Sequence, residues 1–280
     1  PTVRGADAAG LRPRGARAGA PPVRAGGRGG GESHGPALGV VMEGLRAGIT
    51  IDKEAIRREM ARRRPGQSNV TTARKEGEDV RILSGVFEGK TTGTPLAMIV
   101  ENKDSDSSKY DNLKEVFRPG HADLTFWKKY GIRDHRGGGR SSGRETVSRV
   151  AAGAVARSIL DEKGVTIRAW TAEIAGIKAG DTGGDFTEIK NNPVRCPDPE
   201  AAKRMEEAVH HSREQKDSVG GQIRLQVTGL PAGLGDPVFG KLDARLSGAL
   251  MSLGAVKGLE VGAGFEASRM YGSENNDAIS

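Results

Sequence analysis

Three arginines, four glycines and two serines make up residues 136–144, RGGGRSSGR, inside the stretch 133–160, RDHRGGGRSSGRETVSRVAAGAVARSIL. Arg136 and Arg140 bracket Gly137, Gly138 and Gly139; Ser141 and Ser142 follow at once, and Arg144 comes two residues later. Guanidinium groups offer forked donors to phosphate, and glycines let successive backbone N–H groups turn towards a ligand. Ser142 and Glu145 are spaced as a capping box, so a helix is expected directly behind the loop, its positive end adding to the attraction. The chemistry predicted is anion binding, with phosphate the favoured ligand. A solvated Gly–Arg loop would have the same composition, but a capped helix with the stripe Val147, Val150, Ala151, Ala154 and Ser158 argues for an ordered site. The loop fits neither GxxxxGK[ST] nor GxGxxG, so it licenses neither nucleotide fold.

Proton chemistry falls to histidine. Of His34, His121, His135, His210 and His211, two sit inside turn motifs: His34 in GESHG and His121 in RPGHAD, where Asp123 follows closely. Histidines on such turns can reach a cleft, and a phosphate facing them favours the charged ring, suiting it to act as a general acid. His210 and His211 fall on the polar side of a predicted helix. Paired Cys/His spacings and HExxH are absent, and Cys196 is the single cysteine, so no metal site or internal disulfide is expected. GESHG has the written form G-x-S-x-G, but no strand is expected ahead of it, and an esterase elbow needs one. Gly262, Gly264 and Ala267 fit a loose GxGxxA pattern with too little chain behind it for a dinucleotide unit.

The elements that must position these groups are partly legible. Asp52 reads as an N-cap, with Ile51 and Ile56 as a hydrophobic staple, for a helix ending near Arg64 before Pro65 and Gly66. Its last turn presents Arg62, Arg63 and Arg64, cations that suit the helix dipole and could meet a bound phosphate. Strands are expected over 80–87, 94–100, 165–174 and, with Ile223, Leu225 and Val227 on a half-buried face, 222–228. A polar loop spans 101–112. Asp198 and Pro199 open a helix running to about Arg213, and Leu242, Leu246, Ala249, Leu250 and Leu253 mark another amphipathic helix.

The chain's 280 residues carry a net charge of +7, but residues 1–30 hold six arginines against one acid. That segment is Gly, Ala, Pro or Arg at 25 of its 30 positions and is expected to be a disordered, non-native tail. The near-neutral remainder and an aromatic content of 4% argue against a nucleic-acid binder built on the Arg/Gly-rich segments, which is the competing class. No apolar run approaches a membrane span, so a cytoplasmic protein with no membrane partner is expected.

Six blocks in order, GESHG (31–35), RRRPGQS (62–68), LSGVFEGKTTGTP (83–95), FRPGHAD (117–123), RDHRGGGRSSGRET (133–146) and LPAGLGDPVF (230–239), resemble the chorismate synthase family across 31–280. The resemblance implies an α+β fold, a β-α-β sandwich with helices between antiparallel sheets, assembled as a homotetramer. It implies a lyase of the shikimate pathway that converts 5-enolpyruvylshikimate 3-phosphate to chorismate and phosphate by a 1,4-elimination. The family uses reduced FMN, with NADPH a possible reductant, and the reaction has no net redox change. By the same resemblance, His34 assists phosphate departure and His121 protonates the reduced flavin. Arg140, Ser141, Ser142, Gly254 and Ala255 hold the cofactor; Arg63, Arg64 and Arg136 hold the phosphate of substrate or NADP. Asn69 stands where the family often has arginine, and Gly254 where it often has asparagine. The family's first strand and its C-terminal part are expected to be missing, which would leave an incomplete flavin pocket in a poorly active or inactive fragment.

Overall fold

A computed structural model describes residues 25–64, 79–102 and 108–276. Its organising unit is a four-stranded antiparallel sheet in the order β1-β2-β6-β3, formed by β1 (Gly26–Gly30), β2 (Ala37–Glu43), β3 (Val80–Ser84) and β6 (Leu96–Glu101). Leu38, Val40 and Met42 alternate along β2, and Leu96, Met98 and Val100 along β6, so one face of both strands is apolar. Two helices cover that face, α1 (Lys53–Arg63) with Ile56 and Met60, and α3 (Thr146–Asp161) with Val147, Ala151, Ala154 and Val155. The small side chains of α3 let it pack close to both α1 and the sheet.

Local signals account for much of this. Asp52 caps α1, its Oδ1 accepting from the N–H groups of Glu54 and Ala55 at 2.8 and 3.0 Å, and Ile51 and Ile56 are both buried. Gly85 divides the expected 80–87 strand into β3 and the short β4 (Val86–Phe87), which pairs with β5 (Lys90–Thr91). Beyond the polar loop, where residues 108–113 form a 3₁₀ turn, α2 (Asp123–Tyr130) follows the second histidine turn.

A second antiparallel sheet, β8-β7-β9, contains β7 (Thr166–Ile174), β8 (Ile177–Lys178) and β9 (Gly221–Thr228). Helix α4 (Pro199–Glu214), capped by Asp198, packs on β7 and β8 over a small core of Val194, Cys196, Ala201, Ala202 and Met205. The fold is α+β with antiparallel sheets throughout.

Four expectations need correction. Residues 26–30 are not unstructured: backbone pairing with β2 makes GGRGG a strand although nothing in its composition favours one. The rest of the tail, 1–24, lies outside the described residues, as do Pro65, Gly66 and Asn69. Strand β9 is not half-buried, since Ile223 and Leu225 remain exposed. Helix α5 (Leu242–Met251) forms where the leucine pattern places it but buries none of its residues. Finally, a strand does precede GESHG; the chain after Ser33 turns into β2 rather than a helix, which removes the esterase elbow on different grounds.

Candidate active site

The three glycines of the RGGGR loop all adopt positive φ, +63°, +85° and +52° for Gly137, Gly138 and Gly139. Each hydrogen where a β-carbon would stand is occupied by a different neighbour. The His34 ring overlaps that place at Gly137, Nη2 of Arg118 lies 3.2 Å from it at Gly138, and Oε2 of Glu32 lies 2.7 Å from it at Gly139. No other residue could accept both the conformation and the contacts. The run of glycines therefore serves as a seat for side chains. Three of the N–H groups expected to face an anion, those of Gly139, Ser141 and Ser142, donate instead to the carbonyls of Arg136, Gly138 and Gly139 and close local turns.

Two histidine-bearing turns dock here. GESHG follows β1, and Ser33 N–H donates to Gly139 O at 3.4 Å. Ser33 is buried, while the His34 ring also meets the Tyr110 ring edge-on, centroids 5.0 Å apart. The second turn, RPGHAD, is closed by Arg118 and Asp123: Nε and Nη2 of Arg118 donate to the two carboxylate oxygens at 2.9 and 3.1 Å, and its N–H adds a third bond at 3.1 Å. Arg133 approaches the same carboxylate at 3.7 Å. Those hydrogen bonds to Arg118 hold the Asp123 carboxyl well below its ordinary range, at about 2. His121 rides on this turn, exposed, with Nδ1 3.1 Å from Pro119 O.

A cleft of about 610 Å³ opens on one side of the loop, a volume usual for small-molecule sites. Arg136, Arg140, Ser141, Glu32 and Asp134 supply its polar wall, and Phe126, Tyr130 and Ile132 its apolar wall. Its charges are already partnered. Arg136 donates to both oxygens of Asp134 at 2.9 Å, holding that carboxyl below its ordinary value. Arg140 ties β1 to the loop by donating to Gly31 O at 2.8 Å and Gly29 O at 3.3 Å. Glu32 is pushed the other way: burial, then repulsion from Asp134, raises its carboxyl against the pull of Arg140 and Arg136.

Of the residues singled out from sequence, Arg136, Arg140 and Ser141 line the cleft, and Ser142 begins the turn into α3. The capping box is half formed: Ser142 Oγ accepts from Arg144 N–H at 3.2 Å, whereas Glu145 takes Arg149 instead of reaching back. Arg144 is not a ligand-facing cation, being 4% exposed and turned inward onto Asn102. His34 sits against the loop and His121 on the exposed outside of its turn, and neither lines the cleft. Arg63 of α1 reaches the start of α3, donating to Thr146 Oγ1 at 3.3 Å and Gly143 O at 3.4 Å, and Arg64 is exposed beyond it. Gly254 and Ala255 are exposed after α5, and Arg149 of α3 reaches the preceding turn, donating to Ser252 Oγ and O at 2.6 and 3.1 Å. Glu32, Asp134, Arg118 and Asn102 were missed. GESHG and RPGHAD did point to the turns, and Arg118 with Asp123 and Asp134 with Arg136 pair within a few residues, but the partners of Asn102 lie about seventy residues earlier and forty later and leave no local spacing to read.

The family model for chorismate synthase matches residues 29–280. The chain belongs to the chorismate synthase family. It is 56% identical over 249 residues to the chorismate synthase of Methanococcoides burtonii, covering 88% of this chain and 68% of that one. To the enzyme of Desulfatibacillum aliphaticivorans it is 54% identical over 249 residues, covering 89% and 69%. A crystal structure of chorismate synthase superimposes with a TM-score of 0.75 at 30% identity, covering 91% of this chain and 74% of that one. The protein is thus a member of a lyase family acting on a small molecule, and among its described residues no helix is long and apolar enough to cross a membrane.

Proposed function

We propose that this chain converts 5-enolpyruvylshikimate 3-phosphate to chorismate and inorganic phosphate, a step of the shikimate pathway, by a 1,4-elimination that depends on reduced FMN. The observation that carries the reading is the docking of both histidine turns on one glycine–arginine loop in a chain of this family. The residue types of the cleft suit a flavin phosphate: Arg136, Arg140 and Ser141 can hold a phosphate by exchanging their present partners Asp134, the Gly29 and Gly31 carbonyls and Gly138 O, and Phe126, Tyr130 and Ile132 suit a flat ring system. When bound, reduced FMN would supply electron density to the substrate as the C–O bond to phosphate breaks and recover it as the C6 hydrogen is lost, so that the C–H bonding pair becomes the new double bond and no net redox change results.

The chain's own residues supply the rest. Arg140, Ser141 and Ser142 hold the cofactor, helped by the Gly254–Ala255 backbone. Arg63, Arg64 and Arg136 attract the phosphate of the substrate, or of NADPH where that serves as reductant. His34, held rigid between Gly137 and Tyr110, stabilises or protonates the departing phosphate, which leaves with the bonding electron pair. His121 has Nδ1 on the carbonyl of Pro119 and uses Nε2 to hold the proton destined for the cofactor ring. The protein works in the cytoplasm as a homotetramer in this reading.

Anaerobic incubation with reduced FMN and 5-enolpyruvylshikimate 3-phosphate tests it. Phosphate and chorismate appearing in equal amounts is the expected result. Uptake of both ligands with no phosphate released would overturn the assignment and leave a non-catalytic member of the family.

A further inference from the structure

Asn102 lies one residue past the end of β6, and the pairing of Glu101 with Ala37 sets it opposite the GESHG turn. Its side chain fills that turn. Nδ2 lies 3.3 Å from Glu32 O, 3.1 Å from Ser33 O and 2.8 Å from Gly35 O, and its own N–H donates to Pro36 O at 3.0 Å. Oδ1 accepts from Nε and Nη2 of the buried Arg144, each at 3.2 Å. The amide orientation follows from these partners: reversing it would set oxygen against three carbonyls and N–H against a guanidinium.

We propose that Asn102 is a positioning residue for His34, fixing the backbone on which the imidazole is carried and joining it through Arg144 to the start of α3. The proposal rests on the reading of His34 given above. Only an amide of this length can donate to the turn on one side and accept from a guanidinium on the other. Aspartate would keep the acceptor for Arg144 but lose the donors, and alanine would lose both. Misplacing a reacting group by about 1 Å can cost about 10²-fold in rate, which is the scale expected if the turn relaxes.

Hydrogen exchange and histidine ring NMR on the full chain, without flavin, give the direct test. In Asn102→Ala, protection of the Ser33, His34 and Gly35 amides should fall at least about tenfold and the His34 ring signals should shift, with those of His121 unchanged. Asn102→Asp, which retains a strong partner for Arg144, should behave alike and covers the case in which the alanine variant fails to fold. Unchanged His34 signals in the folded variant would overturn the proposal. Phosphate release then separates the two claims. Asn102→Ala should lower kcat by about 10²-fold with little change in KM, and should add little when made on His34→Ala. A full additional loss in the double variant overturns positioning through His34, whereas undiminished release by His34→Ala alone overturns the role given to His34 itself.

Discussion

The imidazole of His34 occupies the space where Gly137 would carry a β-carbon. The contact fixes the relation between two segments a hundred residues apart, because the ring cannot swing towards the loop and the loop cannot close on the ring. With Arg118 beside Gly138 and Glu32 beside Gly139, the glycines act as a template that sets three side chains in order.

Gly137→Ala is the sharpest probe of that template. The new methyl must displace His34, and φ of +63° costs a non-glycine residue about 1–2 kcal/mol by itself. Phosphate release should fall about 10²-fold, with Tm lowered by several degrees. A variant with wild-type turnover would show that the contact between His34 and Gly137 has no part in catalysis.

Asp123 makes the RPGHAD turn sensitive to acid. Its folded-state carboxyl, at about 2, lies below the unfolded value of 3.8, so its stabilisation is full above pH 4 and lost as pH falls towards 2. The difference corresponds to about 2 kcal/mol. Asp123→Asn should flatten the fall in Tm between pH 4 and 2 while destabilising the protein at pH 7, since it strips a carboxylate from Arg118 and Arg133. An unchanged acid limb in the variant would contradict this.

Glu32 should respond to Asp134 in a predictable direction. Removing the second charge by Asp134→Asn relieves the repulsion and leaves Arg136 without its bidentate partner, and both changes favour ionised Glu32. Carboxyl NMR of Glu32 should therefore record a lower pKa in the variant. An unchanged value would mean that burial alone governs the group, and a rise would contradict the account.

The sequence carried local structure well and distant structure poorly. Asp52 with Ile51 and Ile56, and Asp198 with Pro199, announce α1 and α4 because caps act within one turn of backbone. The strand β1 was hidden: GGRGG has no β propensity, and pairing with β2 alone imposes the conformation. Asn102 was unreadable for a related reason, being one amide in a polar run whose partners lie about seventy residues earlier and forty later. The arginines were found as a group, but their assignments were not, since composition cannot tell that Arg140 binds β1 carbonyls or that Arg144 turns inward. Exposed apolar residues on β9 and α5 likewise show that periodicity marks a face without saying what covers it.

The central claim, that the docked histidine turns serve the elimination, is tested most directly by single-turnover phosphate release with His34→Ala under anaerobic conditions. With reduced FMN and saturating 5-enolpyruvylshikimate 3-phosphate, release should be at least about 10²-fold slower than in the unaltered chain, and equilibrium binding of the substrate should change only a few-fold. Release at an undiminished rate would contradict the claim and return the seat of His34 on Gly137 to a purely structural role.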